Sequence, residues 1–223
     1  MAGTSDGVIC VILCAASIEG FVNDLAEWFM YLANHNKDCE SLKFYRGLVN
    51  DDKAKDFNLF QKRFVHCFHF AHMLSEVEQR AAFSMMDMEK GHKSVFHKIS
   101  ELYNILTGEK WDSGSKIHQE FNYLMDIRNS VAHMKGTTLV ADISEGQEVS
   151  ALKYSGHPDF IKHLVKRNII GDRPSVATWV ELIDDVRFCD WCLSVTRNLL
   201  DEIIKKLPDT ATSNRFKENV SFS

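Results

Sequence analysis

Proline and glycine are scarce in this chain, and their scarcity argues against a fold built from many short strands. The 223 residues include three prolines and eleven glycines, whereas strand-rich folds need turn residues every few positions. The sequence has no glycine-rich phosphate loop, and no apolar run reaches the length of a membrane span without a charged residue. The hydrophobic fraction of 45% is ordinary for a globular protein. The composition predicts an all-α protein with one domain.

The six cysteines have no regular spacing and fall mostly within apolar helical patterns. Such cysteines are typical of small buried residues in a reducing compartment, so the chain is expected to be cytoplasmic. The apolar segment from Val8 to Ala16 resembles a signal peptide in composition only. No basic residue precedes it and its helical pattern continues beyond it, so we interpret it as part of the fold.

Two groupings suggest metal ligands, and neither satisfies the geometry of a site. Cys189 and Cys192 have CxxC spacing, but no second pair and no preceding strand accompany them. His66, His69 and His72 lie three residues apart, so on a helix they fan over about 120° and cannot all face one ion. The sequence predicts neither a metal nor a cofactor.

Apolar residues at helical spacing predict a series of helices. The predicted helices cover about 6–34, 57–74, 76–90, 93–106, 116–134 and 176–207, and 36–55 is a loop with one short helical piece. Gly108 is predicted to stop the helix at 93–106, and Ser115 to cap the helix that begins at 116. Residues 137–174 are predicted to be an insertion with a short β-hairpin and a helix near Pro158. The first helix is expected to be central and to bury Val11, Ile12 and Phe29, and the last to bury Val186. Residues 1–208 thus form one predicted helical domain, and 209–223 a loose polar tail.

The stretch from Phe121 to Gly136 combines an apolar helical face with three polar side chains of different chemistry. Arg128, Asn129 and His133 occupy its last turn and a half, just before a glycine that can end the helix. A guanidinium matches phosphate oxygens with paired donors, and an imidazole exchanges a proton near pH 7. These groups indicate phosphate chemistry.

The spacing of these groups matters for how they act. On a regular helix Arg128 and His133 lie about 140° apart around the axis, whereas Asn129 and His133 share a face. Either the last turn loosens and the Arg128 side chain reaches back, or the two groups meet across a two-fold axis between two copies.

The hexapeptide Arg128-Asn129-Ser130-Val131-Ala132-His133 resembles the signature of the HEPN (higher eukaryotes and prokaryotes nucleotide-binding) superfamily. In that signature four residues separate arginine from histidine, and asparagine commonly follows the arginine. The segment SIEGFVN is similar to first-helix acidic and amide positions of these families, which implies supporting roles for Glu19 and Asn23. The resemblance implies an all-α up-and-down bundle with the motif near the end of a late helix.

The resemblance also implies a metal-independent endoribonuclease that works as a homodimer and needs no cofactor. Arg128 and His133 would be catalytic, with Asn129 orienting the imidazole or the phosphate. The net charge of −5 disfavours binding of nucleic acid through the whole surface but leaves room for local basic sites. The candidate RNA-binding side chains are Lys93, Lys135, Lys162, Lys166 and Arg167. The expected setting is a toxin-like or phage-defence ribonuclease in a microbial cytoplasm, away from membranes and controlled by a protein inhibitor or sensor.

Two alternatives stay open at this stage. The bundle could bind RNA or nucleotides, or dimerise, without catalysis. In the other alternative Arg128 pairs with Asp126 or Glu19, and His133 caps the helix C-terminus, where the helix dipole favours a cation. The sequence also departs from the HEPN toxins paired with nucleotidyltransferase antitoxins: Lys135 stands where those toxins commonly have a tyrosine, so neutralisation through that tyrosine is not predicted.

Overall fold

The computed structural model describes residues 6–38, 74–133, 157–172 and 178–220, which are helices joined by turns, with no strand among them. The helices are α1 (Asp6–Asp38), α2 (Glu76–Lys90), α3 (Val95–Thr107), α4 (Lys116–Ala132), α5 (Asp159–Lys166), α6 (Trp179–Ile183), α7 (Val186–Lys206) and α8 (Ala211–Val220). The predicted all-α class is confirmed. The predictions that lie outside the described residues are the loop after Asp38, most of the helix at 57–74 with its three histidines, the β-hairpin, Lys135 and Gly136.

The chain divides into two compact units. The first comprises Met1–Ile18 with Asp112–Asp201, and the second comprises Glu19–Trp111 with Glu202–Ser223. Each unit buries its own apolar side chains. Completely buried examples are Ile127, Leu164 and Phe188 in the first unit and Phe29, Ile99 and Leu102 in the second. The single domain over 1–208 stays a prediction.

Helix α1 runs four residues past its predicted end. From Asp6 to Leu32 it is long and apolar enough to cross a membrane by length and composition alone, a test that a buried core helix also passes. Val11 and Phe29 are fully buried, as predicted, but Ile12 is 49% exposed, so the predicted stripe is wrong there. Consecutive helical positions differ by about 100°, so a helix that buries Val11 turns Ile12 outward.

Side-chain caps fix where α2, α3 and α4 begin. The Ser75 hydroxyl accepts from the Glu78 N–H and the Glu78 carboxylate accepts from the Ser75 N–H, which is a capping box before α2. Ser94 caps α3 and Ser115 caps α4, the latter as predicted. Helix α3 ends at Gly108, whose φ of 74° is the left-handed conformation that favours glycine. The predicted bounds of α2 are confirmed at both ends.

The C-terminal segment is a helix, so the predicted loose tail is wrong for 211–220. Phe216 of α8 is buried and meets Phe21 edge to face, with ring centroids 5.8 Å apart. The fully buried Glu78 carboxylate accepts hydrogen bonds from the hydroxyls of Thr210 and Ser213, the latter at 2.6 Å. The Thr210 and Ser213 hydroxyls therefore hold the C-terminal segment in place through their hydrogen bonds to the buried Glu78 carboxylate.

The predicted last helix is two helices, α6 and α7, with a break at Asp184 and Asp185. The Asp185 carboxylate accepts from the backbone N–H of Arg187 at 2.9 Å and of Gly171 at 3.1 Å. Val186, predicted to be buried, is 73% exposed because the helix restarts there.

Gly7 lets the first turn of α1 approach this break closely. A Cβ at position 7 would lie 2.1 Å from the carbonyl oxygen of Ile183, far closer than any side chain can come. The backbone N–H of Asp6 also donates to the Asp184 carboxylate at 3.0 Å. The break is therefore part of the packing of the first unit.

Asp185 is expected to make the stability of the first unit depend on pH in the acidic range. Hydrogen bonds from the Arg187 side chain, together with the backbone N–H groups of Arg187 and Gly171, lower the pKa of Asp185 from 3.8 to about 2. A depressed carboxyl pKa stabilises the fold above the unfolded-state pKa, and that contribution is lost as the pH falls from about 4 to about 2. Thermal unfolding of Asp185→Asn should change less with pH in this window than that of the wild type. Asp87→Asn, at an exposed position of α2, is the control and should behave as the wild type does.

Candidate functional site

Helix α4 presents the motif on the surface of the first unit. Its inward face buries Leu124, Ile127 and Val131. Arg128 and Asn129 follow Ile127 directly and are exposed, since they point away from that face. The predicted catalytic arginine is therefore open to a ligand.

The Arg128 guanidinium bonds to its neighbour in the motif. Its Nη1 donates to the Asn129 Oδ1 at 3.2 Å, and among the described residues of its unit Arg128 has no ion-pair partner. Burial raises the pKa of Asp126, and this carboxylate accepts from Asn122 at 3.4 Å. The pairing of Arg128 with Asp126 in the structural alternative is thus not seen.

His133 lies one residue past the end of α4. Its φ of −106° and ψ of 23° leave the helical region, and its backbone N–H donates to the Asn129 carbonyl at 3.0 Å. The helix therefore ends at the histidine. The Arg128 side chain bonds to Asn129, and no hydrogen bond between Arg128 and His133 occurs among the described residues, so the choice between the two arrangements that the spacing left open stays a prediction. The C-cap position suits the structural alternative as well as the catalytic one, but the imidazole is exposed and open to a substrate.

Helix α5 contributes basic residues that differ in their availability. Lys162 and Lys166 are exposed one turn apart, and neither has an ion-pair partner among the described residues. Arg167 instead lies 3.6 Å from the buried Glu120 carboxylate and 6.0 Å from the centre of the Tyr123 ring. Two lysines are therefore free for an anion, whereas the arginine holds α5 against α4.

His163 belongs to the same packing. Its ring stacks on Tyr123 with centroids 4.1 Å apart, and its Nε2 is buried without a hydrogen-bond partner among the described residues. Burial, and then the charges of Arg167 and Lys166, lower the pKa of His163. The imidazole is neutral near pH 7 and acts as a flat packing surface.

The other predicted site residues belong to the second unit. Glu19 and Asn23 are half-buried on α1, and Lys93 is exposed between α2 and α3. Asn23 lines a cleft of about 380 Å³ within this unit. The other lining residues are Val22, Ala26, Glu27, Met30, Met85, Met86, Glu89 and Lys98. Lys98 is almost fully buried and forms an ion pair with Glu89.

The cysteines of the CxxC pattern pack against α1. Cys10, Cys14, Cys189 and Cys192 are free thiols, and the Cys10 thiol donates to the Cys189 carbonyl at 3.6 Å. Burial raises the pKa of Cys10 to about 12. Within the described ranges, no group of three or more His, Cys, Asp or Glu side chains can hold a metal ion. The structure gives these thiols a packing role.

The described part of the chain is all-α, and an arginine, an asparagine and a histidine are exposed at the end of one helix. Both features are those expected of the HEPN superfamily. The sequence matches the RiboL-PSP-HEPN family over residues 9–168, more than half of the chain, and that range includes the motif. The chain belongs to this family, and the predicted HEPN membership is confirmed. Comparison with curated proteins and with solved structures gives no match. Membership indicates a function related to nucleotides or RNA.

Proposed function

We propose that the protein is a metal-independent endoribonuclease whose active site is shared between two copies of the chain. The main support for this proposal is the exposed end of α4. There, a guanidinium without a carboxylate partner in the described part of its unit stands five positions before an exposed imidazole. RNA-related functions of the family agree with this assignment.

The proposed reaction is transesterification within RNA. His133 of one copy acts as general base and removes the proton of a ribose 2′-hydroxyl, whose oxygen then attacks the adjacent phosphorus. Arg128 stabilises the negative charge that builds on the phosphate oxygens, and Asn129 orients the guanidinium or the imidazole. The phosphorus–oxygen bond to the 5′-oxygen breaks, and that oxygen takes up a proton. The products are a 2′,3′-cyclic phosphate and a 5′-hydroxyl.

The reaction is the reason for invoking two copies. A base and an acid are needed at opposite sides of the phosphorus, and one motif supplies one imidazole. A two-fold axis would place a second His133 opposite the first, so the two copies could divide the roles. Glu19 and Asn23 are supporting residues in this proposal.

Product analysis tests the proposal directly. A panel of single-stranded RNAs should be cleaved equally well with and without EDTA, and the 5′ fragments should end in a 2′,3′-cyclic phosphate. A 2′-deoxy sugar at the cleavage position should abolish cleavage there, because the nucleophile is absent. Cleavage of the deoxy substrate, or products with a 3′-hydroxyl, would contradict this mechanism.

The second candidate function is binding of RNA or nucleotides without cleavage. The exposed Arg128 guanidinium supports it equally, because a guanidinium without a carboxylate partner in the described part of its unit can bind a phosphate whether or not a bond is then broken. Binding without cleavage over the whole RNA panel would support this candidate.

The proposed biological setting is a toxin-like or phage-defence role in a microbial cytoplasm, under a protein inhibitor or sensor. Expression of the wild-type chain in bacteria should slow growth, and expression of His133→Ala should not. Equal growth of the two strains at equal protein levels would remove the support for a toxic activity.

The exposed lysines of α5 are expected to contribute to RNA affinity. Lys162→Ala combined with Lys166→Ala should raise the Kd for single-stranded RNA about three- to tenfold and reduce the salt slope of log K by about 0.7 for each phosphate that a lysine no longer neutralises. Lys110→Ala combined with Lys205→Ala removes two exposed lysines from the second unit and is the control. Fluorescence anisotropy at several salt concentrations measures both effects. An unchanged salt slope in the α5 variant would exclude a role of these lysines in RNA binding.

A further inference from the structure

An uncharged helix face is exposed on the first unit. No charged residue occurs from Gly7 to Ile18, yet Ile9, Ile12 and Leu13 of α1 are all exposed large apolar side chains. Exposed apolar side chains clustered in this way mark an interaction surface more often than a solvated one.

Helix α7 extends this face. The contact between the Cys10 thiol and the Cys189 carbonyl brings the two helices together in this unit. Val186 and Leu193 lie one heptad apart on the side of α7 next to that contact, and both are exposed. We call Ile9, Ile12, Leu13, Val186 and Leu193 together the apolar face.

Two opposite charges lie on α7 beside the apolar face. Asp190 and Arg197 are exposed on α7, at equal distances in sequence on either side of Leu193 and Ser194. Neither forms an ion pair with another described residue. If two copies of α7 pack antiparallel about an axis near Leu193, Asp190 of each copy lies opposite Arg197 of the other.

We propose that a second copy of this chain docks on the apolar face, with the two α7 helices antiparallel about that axis. The interface deepens the proposed function, because the shared active site needs a dimer. A lipid surface fits less well, since α1 carries five acidic residues and one lysine and the whole chain has a net charge of −5. Helices that lie on anionic membranes carry basic residues on their polar face.

Analytical ultracentrifugation without RNA tests the interface independently of catalysis. Leu13→Glu should raise the dimer Kd at least about tenfold, because it places a charge within the apolar face. Tyr31→Glu is the matched control: Leu13 and Tyr31 are each 61% exposed on α1, but Tyr31 lies in the other unit. It should change the Kd less than about twofold. A wild type that stays monomeric, or Leu13→Glu dimerising like the wild type, overturns the proposal.

A charge exchange tests the two-fold arrangement and does not depend on how Leu13→Glu folds. Asp190→Arg and Arg197→Asp should each weaken the dimer at least about fivefold, since each creates two like-charge pairs. The double variant should return to within about twofold of the wild type, because both attractive pairs are restored. Single variants without effect, or a double variant that fails to recover, overturn the arrangement. So would binding of the wild type to phosphatidylcholine vesicles in place of dimerisation.

The two proposals fail separately. A dimer that Leu13→Glu disrupts, in a protein that cleaves none of the RNAs, supports the interface and removes the ribonuclease assignment. A protein that cleaves RNA as a dimer that Leu13→Glu leaves intact overturns the interface alone. Cleavage by a monomer overturns both the interface and the shared active site, and leaves only the roles of Arg128 and His133 within one copy.

Discussion

Replacing His133 with alanine is expected to lower the rate of RNA cleavage by about 10²- to 10⁴-fold, the usual contribution of a general acid or base. The substitution removes the imidazole from an exposed position beyond the end of α4 and leaves in place the backbone hydrogen bond from residue 133 to Asn129. Helix α4 and the proposed dimer should therefore persist. Single-turnover cleavage of a fluorescent RNA measures the rate, and sedimentation velocity measures the dimer.

His97→Ala provides the matched control. His97 is also exposed, and it lies in the first turn of α3 in the second unit. Its replacement should leave cleavage within about twofold of the wild type, because the residue has no part in the proposed reaction. Full cleavage by His133→Ala would exclude the histidine as a catalytic group, whatever the control shows.

Replacing Glu78 with alanine is expected to destabilise the second unit by about 3 to 5 kcal/mol. The Glu78 carboxylate is fully buried and accepts from the Ser75 N–H at 2.7 Å, the Ser75 hydroxyl at 2.9 Å, and the hydroxyls of Thr210 and Ser213. Its loss removes the capping box of α2 and leaves the buried Ser213 hydroxyl without its acceptor. The free energy of unfolding from urea titrations tests the value.

Glu76→Ala separates this effect from a general loss of negative charge in the first turn of α2. Glu76 is exposed in that turn, so its removal should cost only about 0.3 to 1 kcal/mol through the helix dipole. Hydrogen exchange should show faster exchange in α8 for the Glu78 variant alone, since the carboxylate tethers that segment. A Glu78 variant as stable as the Glu76 variant would show that solvent replaces the buried hydrogen bonds.

Local chemistry made much of the helical framework predictable from the sequence. The cap at Ser115 and the stop at Gly108 are properties of single residues, and both appear where the sequence predicts them. The break between α6 and α7 was not predictable, because Ile183 and Val186 continue the helical spacing across it. The break depends on Gly171 and Gly7, which only the folded chain brings to Asp185 and Ile183.

The candidate site, like the helical framework, could be predicted from the sequence only in part. The residue types and order of Arg128, Asn129 and His133 are visible in the sequence, and so is their place near the end of a helix. The engagement of Arg167 with Glu120 is not visible, because it joins two helices far apart in the chain. A basic residue on a helix face has the same sequence pattern whether its charge is free or paired, so only the fold separates Arg167 from the neighbouring lysines.

The end of α4 at Ala132 sets how the motif should tolerate changes of length during evolution. One residue inserted between Leu124 and Ala132 would rotate the following positions by about 100° relative to the buried face, and would move either Arg128 inward or Val131 into water. An insertion directly after His133 falls where the helical repeat has already ended, so it leaves the motif facing the same way. Related chains are expected to differ in length after the histidine and to keep a constant count before it.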